Sequence, residues 1–244
     1  MKKYSTFLFD FDGTLLDSNN HVISCFKKAF METVGYAPTD AEITATFGIP
    51  LAKALRDLNP EHAEEILDCY RKHSGALGFS LLRSFEGARD LLKGLKEKGA
   101  TVAIVTGKKE INAAPQMAFI GIDAYVDLLV GPERTVLHKP NPAPIEFALE
   151  ALGAQREDAI MIGDSPNDIL CGKNAQVDTM GVRFTALPLE LLLATEPDYM
   201  VDDLADILDF ARLLFAALNQ GFVHRLRHKI ANITVKRGNV TNHA

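Results

Sequence analysis

Two aspartates, Asp10 and Asp12, follow directly on an apolar run near the start of the chain. Side chains two residues apart in extended backbone point the same way, so the two carboxylates would repel each other. A bound cation would relieve this repulsion, and an oxygen-rich site suits Mg²⁺. Alternatively, one acid holds a proton as a general acid while the other stays ionised as a nucleophile. Asp-x-Asp-Gly is also typical of a turn after a strand.

The string that contains these acids is longer and more specific than the pair. Residues 10–17 read Asp-Phe-Asp-Gly-Thr-Leu-Leu-Asp. This string resembles the first motif of the haloacid dehalogenase-like superfamily of phosphotransferases. The resemblance predicts three further motifs downstream, each at the end of a strand.

Two later segments match the second and third motifs. Thr106, followed by Gly107 and Lys108, ends an apolar run, and in the family this Thr or Ser hydrogen-bonds a phosphoryl oxygen. Lys139 lies in a Lys-Pro-x-Pro segment similar to that of phosphoglycolate phosphatase-like members. The resemblance implies that its ammonium group neutralises charge on the nucleophile and the phosphoryl group. Thr106, Gly107 and Lys108 are therefore predicted to contact substrate.

The fourth motif, Gly-Asp-x-x-x-Asp, matches the segment from Gly163 to Asp168. The resemblance implies that Asp10 attacks phosphorus and forms an aspartyl-phosphate, while Asp12 first protonates the leaving oxygen and then activates water. Mg²⁺ would be held by Asp10, the backbone carbonyl of Asp12, and Asp164. Asp168 would orient metal-bound water or Lys139, and it could equally serve the helix dipole. The resemblance covers roughly residues 5–215.

Alternating helix and strand patterns position these motifs. Strands are predicted at 6–9, 101–106, 125–130, 159–163, 179–184 and 199–201, with helices between them and a last helix at 202–218. This alternation is typical of an α/β fold, a doubly wound, mostly parallel, Rossmann-like sheet. Ligands bind at the carboxyl ends of such strands, where all four motifs lie. Pro115 is predicted to kink its helix or delay the helix start.

Residues 17–83 show helical periodicity and no convincing strand. Helices are predicted at 20–34, 39–48, 51–58 and 61–73, the second of them opened by a capping box. In the resembled superfamily such an insert after the first strand is a C1-type cap that closes over the active site. The predicted domains are a catalytic core of residues 1–16 and 84–219, a cap of 17–83, and a basic tail of 220–244.

The cap is expected to select the substrate. Ser18, Asn19 and Asn20 at the hinge, together with the turn of residues 47–51, are candidates for substrate contact or gating. A role as capping residues or hinge punctuation explains them equally well.

Among reactions, hydrolysis of a small phosphate monoester such as phosphoglycolate is favoured, and inorganic pyrophosphatase activity is the alternative. A pyrophosphatase needs more cations, which Lys53, Arg56, Arg71 and Lys72 could supply unless they are only surface charge. A sugar phosphomutase is disfavoured, because Val22 fills the position of its cap-helix histidine and His21 is one residue away. Dehalogenases of the superfamily lack the second aspartate. Asp12 is present here, so dehalogenation is also disfavoured. The intact acids also argue against a non-catalytic binding protein.

Composition limits location and partners. The chain has 244 residues, 47% of them hydrophobic, and no apolar run of about 18 residues, so a globular cytoplasmic protein is predicted. A net charge of −6 argues against nucleic acid as the main partner. The resemblance implies a small phosphorylated metabolite as partner, and a monomer or homodimer is expected. Cys25, Cys69 and Cys171 lack CxxC spacing, which favours reduced, buried thiols over disulfides or zinc. The tail has five basic residues and no acid, typical of a mobile or surface segment, although an anionic partner is an alternative.

Overall fold

The computed structural model describes residues 4–208 and residue 211. The predicted basic tail, residues 220–244, lies outside this part. So does most of the last predicted helix, whose described portion is helical from Leu204 to Leu208 and at Ala211. None of the described helices has the length and apolar character needed to cross a membrane.

A central parallel sheet organises the described chain. Eight strands are described: β1 (Thr6–Phe9), β2 (Leu16–Asp17), β3 (Arg83–Ser84), β4 (Thr101–Val105), β5 (Leu128–Val130), β6 (Ala159–Gly163), β7 (Asp178–Val182) and β8 (Tyr199–Val201). Six of them form the sheet in the order β5-β4-β1-β6-β7-β8, with every neighbouring pair parallel. Strand β1 therefore lies at the centre, where the strand order reverses and ligands bind in open α/β sheets.

Helices cover both faces of this sheet. The described α-helices are α1 (Asn19–Val34), α2 (Asp40–Thr44), α3 (Leu51–Leu58), α4 (Ala63–Leu77), α5 (Ala88–Glu97), α6 (Glu110–Phe119), α7 (Ala143–Leu152), α8 (Pro166–Asn174) and α9 (Leu189–Leu193). Along β1, Phe7 and Phe9 pack in one apolar cluster with α5, whereas Leu8 packs in a second cluster with α7. This alternation follows from the two-residue period of a strand. The predicted doubly wound α/β fold is confirmed.

The four helices α1 to α4 form an apolar cluster of their own. Its fully enclosed members include Phe26 and Phe30 of α1, Ile43 of α2, Leu55 of α3 and Ile66 of α4. Thr39 caps α2 with a reciprocal hydrogen bond to Glu42, the predicted capping box. The helical character predicted for this segment is therefore present, with boundaries within a few residues of those expected.

The prediction that residues 17–83 contain no strand was wrong at both ends. Leu16 pairs with Ser84 and Asp17 pairs with Arg83, so β2 and β3 form a two-stranded antiparallel ribbon. This ribbon holds the entry and exit of the helical segment side by side. Two residues per strand are too few to show a two-residue hydrophobic period, so the pattern could not reveal them.

The starts of β5 and of α6 bear on two of the predictions for the core. Strand β5 begins at Leu128 rather than residue 125, because Asp123–Tyr125 is a 3₁₀ turn and the Asp127 carboxylate accepts the Val102 N–H at 2.8 Å. That contact occupies a donor that strand pairing would otherwise use. Helix α6 begins at Glu110, ahead of Pro115, so the proline does not delay its start.

Candidate active site

Asp10 lies immediately after β1, at the carboxyl edge of the sheet. Its backbone N–H donates to the Ile162 carbonyl at 2.8 Å, which continues the ladder between β1 and β6 by one residue. The chain then turns at Gly13, where φ is +82° and a Cβ atom would lie 2.3 Å from Asp164 Oδ2. Only glycine allows the backbone after Asp12 to approach the Asp164 carboxylate this closely.

Lys139 connects the first and fourth predicted motifs. Its Nζ atom donates to Asp10 Oδ1 at 2.7 Å, to Asp168 Oδ1 at 2.5 Å and to the Val105 carbonyl at 3.0 Å. These three acceptors use all three ammonium protons. The second oxygen of Asp168 accepts the Ser165 N–H at 3.0 Å, so this acid both holds Lys139 and caps α8. Both interpretations of Asp168 are therefore compatible with its contacts.

Three carboxylates converge at this point. Asp10, Asp164 and Asp168 each place an oxygen within 4.8 Å of the others, and all three side chains are buried. Asp164 follows β6, and the Thr185 hydroxyl donates to its Oδ2 at 3.2 Å. One ammonium group, that of Lys139, is bonded to two of these three acids, so the cluster keeps an excess of negative charge.

The electrostatics show the consequence of this crowding. Burial raises the pKa of Asp10 to about 7, since the attraction of Lys139 is opposed by repulsion from Asp168 and Asp12. Burial, and then the charges of Asp168 and Asp10, raise the pKa of Asp164 well above its ordinary value. Burial lowers the pKa of Lys139, but attraction by Asp10 and Asp168 outweighs it and the net direction is upward. The cluster of hard oxygen donors fits a divalent cation such as Mg²⁺.

A pH dependence of stability follows for metal-free protein. Asp10 has a raised pKa in the folded state, so between its ordinary value near 3.8 and about 7 the folded protein binds more protons than the unfolded chain. Its contribution to the free energy of unfolding is therefore full below about pH 4. It declines by up to about 1.4 kcal/mol per pH unit as pH rises towards 7. Urea denaturation in a chelator should show this decline in the wild type, and Asp10→Asn should show a flatter one. An equal decline of the free energy of unfolding with pH in both proteins would contradict a raised pKa for Asp10.

Asp12 lies beside the cluster and faces a different set of partners. Its Oδ1 accepts the Ser18 hydroxyl at 2.5 Å and Lys108 Nζ at 2.6 Å. Lys108 also donates to Gln116 Oε1 at 2.6 Å and lies 5.4 Å from the centre of the Phe11 ring. Because Lys108 and Asp12 are partly exposed while Asp10 is buried, they form the open side of the site.

The remaining predicted site residues are divided between the site and its surroundings. Thr106 is buried at the end of β4, and its hydroxyl accepts the Lys108 N–H at 3.1 Å, which shapes the loop through exposed Gly107. Asn19 donates its backbone N–H to Asp17 Oδ1 at 3.1 Å, a hinge contact. Asn20 is exposed on α1, and no described hydrogen bond joins its side chain to the other site residues.

Three residues near the site were not predicted as functional. Gln116 holds Lys108, Thr185 holds Asp164, and His21 is buried with its Nε2 atom 2.9 Å from Ser74 Oγ. Burial, and then the charge of Lys108, lower the pKa of His21, so its ring is neutral near pH 7. Gln116 lies on α6, eight residues after Lys108, which precedes that helix, and Thr185 follows a different strand from Asp164, so no local sequence pattern predicts either contact. His21 could have been singled out because histidine is unusual on a buried helix face.

The turn of residues 47–51 touches the core at the fourth motif. The Gly48 carbonyl accepts Asn167 Nδ2 at 2.7 Å, and a Cβ atom at Gly48 would lie 3.2 Å from that of Ser165. Asn167 lies in the first turn of α8, one residue before Asp168. The helical segment is thus hydrogen-bonded directly to the first turn of α8, three residues after Asp164.

Asn167→Ala should weaken this contact and change the kinetics more than the stability. One hydrogen bond of this kind contributes about 0.5–1.5 kcal/mol, so we expect a change of up to about tenfold in kcat/KM. Steady-state kinetics and urea denaturation would measure both effects. Asn112→Ala, at an exposed position of α6, is the matched control. Kinetics identical to that control would show that the contact does not affect turnover.

Comparisons with known proteins agree with this geometry. The family model described as haloacid dehalogenase-like hydrolase matches residues 7–182. A curated relative from Clostridium perfringens is 40% identical over 207 residues, covering 85% of this chain and 97% of its own length. The pyrophosphatase PpaX of Halalkalibacterium halodurans is 38% identical over 208 residues, covering 84% of this chain and 95% of its own length.

A solved structure shows the same similarity in three dimensions. The haloacid dehalogenase-like family protein SP0104 of Streptococcus pneumoniae superposes with a TM-score of 0.77 at 25% identity, covering 85% of this chain and 98% of that one. Sequence family, curated relatives and fold therefore agree over the part of the chain that carries the acidic cluster. The chain belongs to the haloacid dehalogenase-like hydrolase family and is a hydrolase of its phosphatase type.

Proposed function

We propose that this chain hydrolyses a small phosphate compound, with Asp10 as nucleophile and Mg²⁺ as cofactor. The observation that carries the proposal is the convergence of Asp10, Asp164 and Asp168 around a single ammonium group, that of Lys139. Such a concentration of buried negative charge is costly unless a cation binds there. Phosphoryl transfer depends on the neutralisation of charge around phosphorus, which this arrangement supplies.

The proposed reaction has two steps. In the first, a carboxylate oxygen of Asp10 attacks phosphorus, the bond from phosphorus to the leaving oxygen breaks, and Asp12 gives its proton to that oxygen. In the second, Asp12 takes a proton from water, the water oxygen attacks phosphorus, and the bond to Asp10 breaks to release phosphate. The position of Asp12 on the open side of the site supports this role, because the Ser18 hydroxyl and Lys108 Nζ hold its side chain there by hydrogen bonds to Oδ1.

Mg²⁺ would be held by Asp10, the backbone carbonyl of Asp12, and Asp164. When bound, it would offset the negative charge of the phosphoryl group and of the acids around it. Lys139 fixes Asp10 through a 2.7 Å hydrogen bond and leaves the other Asp10 oxygen available. Thr106 and the N–H groups of the loop after it are proposed to bind the remaining phosphoryl oxygens.

Two substrates are kept as candidates, inorganic pyrophosphate and a small phosphate monoester such as phosphoglycolate. The relative from Halalkalibacterium halodurans is named a pyrophosphatase, which favours pyrophosphate. Lys108, on the open side of the site, could bind the second phosphate group. The four cations of residues 53–72 each form an exposed ion pair with an acid, which fits their interpretation as surface charge: Lys53 with Asp57, Arg56 with Glu64, Arg71 with Asp68, and Lys72 with Glu32.

A phosphate-release screen tests the proposal. Pyrophosphate, phosphoglycolate, sugar phosphates and nucleotides would be compared with and without Mg²⁺, beside the Asp10→Asn variant. We expect Mg²⁺-dependent release that this variant lacks, with pyrophosphate or one monoester preferred. Release that is independent of both Mg²⁺ and Asp10 would refute the mechanism. Lys108→Met should reduce turnover of pyrophosphate more than that of a monoester if Lys108 binds the second phosphate.

We also propose the division into a core of residues 1–16 and 84–219 and a cap of residues 17–83. The separate apolar cluster of α1–α4 and the β2–β3 ribbon support it. A cytoplasmic location and a monomeric or homodimeric state stay predictions. Size-exclusion chromatography with light scattering would determine the oligomeric state.

A further inference from the structure

A second group of candidate metal ligands lies on the α1–α4 helix pair. It consists of Glu32 on α1 and of Cys69 and His73 on α4. One donor atom from each residue lies within 4.8 Å of the other two. Within the part of the chain that the structure describes, only this group and the acidic cluster at Asp10 bring three such ligands together.

Helix geometry explains why these side chains meet. Cys69 and His73 are four residues apart on α4, and side chains at that spacing lie one above the other on the same face. Helix α1 packs against α4, and Glu32 projects from its last turn towards this face. The side chains of Glu32 and His73 are 47% and 20% exposed, so an ion can reach them from solvent.

The three side chains are already joined by hydrogen bonds. Their protons occupy the space between the donor atoms that a metal ion would fill. His73 Nε2 and Glu32 Oε2 are 2.8 Å apart, and the Cys69 thiol also hydrogen-bonds Glu32. Burial, and then the charge of Glu32, raise the pKa of Cys69, so the thiol keeps its proton when no cation is present. Lys72 Nζ donates to the other carboxylate oxygen, Glu32 Oε1, at 2.7 Å.

We propose that Glu32, Cys69 and His73 bind Zn²⁺, with water as the fourth ligand. A thiolate, an imidazole and a carboxylate form a typical zinc donor set, whereas Mg²⁺ avoids sulfur and nitrogen ligands. On binding, the thiol proton leaves to solvent and the imidazole proton moves to Nδ1, which frees Nε2 for the metal. Lys72 keeps its hydrogen bond to Oε1 and orients the carboxylate so that Oε2 faces the ion.

The distances require only a small adjustment. Tetrahedral zinc with bonds of about 2.0–2.3 Å separates its ligand atoms by about 3.3–3.8 Å. The donor atoms here lie within 4.8 Å of one another, and the 2.8 Å between His73 Nε2 and Glu32 Oε2 would lengthen by about 0.5 Å, which the exposed Glu32 side chain permits. The ion would join α1 to α4, the two longest helices of the α1–α4 segment.

The sequence did not predict this site, because the absence of CxxC spacing pointed away from zinc and the ligand on α1 could not be found without the helix packing. Cys69 is partly exposed, in contrast to buried Cys25 and Cys171.

Cobalt substitution tests the proposal on the full chain. Metal-free reduced protein would be titrated with Co²⁺ in excess Mg²⁺, which occupies the acidic cluster. We expect a thiolate-to-cobalt charge-transfer band in the near ultraviolet and visible bands typical of tetrahedral Co²⁺, all abolished by one equivalent of Zn²⁺. Cys69→Ser should remove the charge-transfer band. His73→Gln and Glu32→Gln should each weaken Co²⁺ binding by at least about tenfold.

A matched pair on the same helix serves as control. His62 Nδ1 and Glu65 Oε2 are 3.3 Å apart at the start of α4, with both side chains exposed. His62→Gln and Glu65→Gln should leave the spectrum unchanged. Circular dichroism would verify that every variant is folded, and the exposed Glu32 variant preserves the test if Cys69→Ser does not fold. A missing charge-transfer band in the wild type, a band that persists in Cys69→Ser, or unchanged affinity in the Glu32 and His73 variants would overturn the proposal.

Discussion

Asp10→Asn should lower Mg²⁺-dependent phosphate release on the order of 10⁴-fold or more. Asparagine has the shape of aspartate, and its amide oxygen can still accept the hydrogen bond from Lys139, which is 2.7 Å in the wild type. The substitution therefore removes the nucleophilic oxygen and one negative charge while leaving the packing in place. The loss should appear in kcat, since the missing interaction is a covalent bond of the reaction itself.

The control for this variant is Asp90→Asn, an exposed position in the first turn of α5. It should keep wild-type activity. Single-turnover measurement with acid quench would also detect a phosphorylated protein in the wild type and none in Asp10→Asn. Retention of activity within tenfold by Asp10→Asn would mean that another group attacks phosphorus.

Among these substitutions, Lys139→Met should lower the free energy of unfolding the most. The ammonium group is buried and bonded to Asp10 and Asp168, so its removal leaves those acids without their shared counter-charge. Loss of one partner from a buried ion pair costs about 3–5 kcal/mol. Activity should also fall, by about 10³-fold or more, because Asp10 loses the contact that orients it.

Urea denaturation at neutral pH in a chelator would measure the loss. Lys93→Met is the control, because Lys93 pairs with Glu97 at 3.8 Å on the exposed face of α5 and should change stability by less than about 1 kcal/mol. Without Lys139, the pKa of Asp10 rises further, because the attraction that opposes the effect of burial is lost. The loss in free energy of unfolding should therefore be largest at high pH, and it should shrink on acidification as the acids bind protons. Added Mg²⁺ should restore part of the lost stability, and a deficit insensitive to both pH and Mg²⁺ would point to a packing defect instead.

The parts of the site that could be predicted are those that lie at strand ends. Each short apolar run ended in a polar residue of characteristic type, as at Asp10, Thr106 and Asp164, and parallel strands bring their carboxyl ends to one edge. These predictions needed only local sequence and the rules of parallel sheets.

The contacts that could not be predicted are those made between side chains on separate elements. The pairing of Lys108 with Asp12 depends on how the loop after β4 lies against the turn after β1. The support that Gln116 gives to Lys108 depends in turn on where α6 packs. Neither follows from a periodicity, because each is fixed by tertiary packing and involves one residue of a type common on protein surfaces.

The ribbon of β2 and β3 has a consequence for the architecture of the chain. Asp17 and Arg83 are direct partners in an antiparallel pair, and such partners have Cα atoms about 4.5–5.5 Å apart. A two-residue hairpin turn spans that gap. A segment that connects Asp17 to Arg83 therefore has to meet only one requirement: its first and last residues must lie side by side. Segments of very different length, or a bare turn, would satisfy it, so this junction is where the molecule could gain, lose or exchange a whole module without changing the strand order of the sheet.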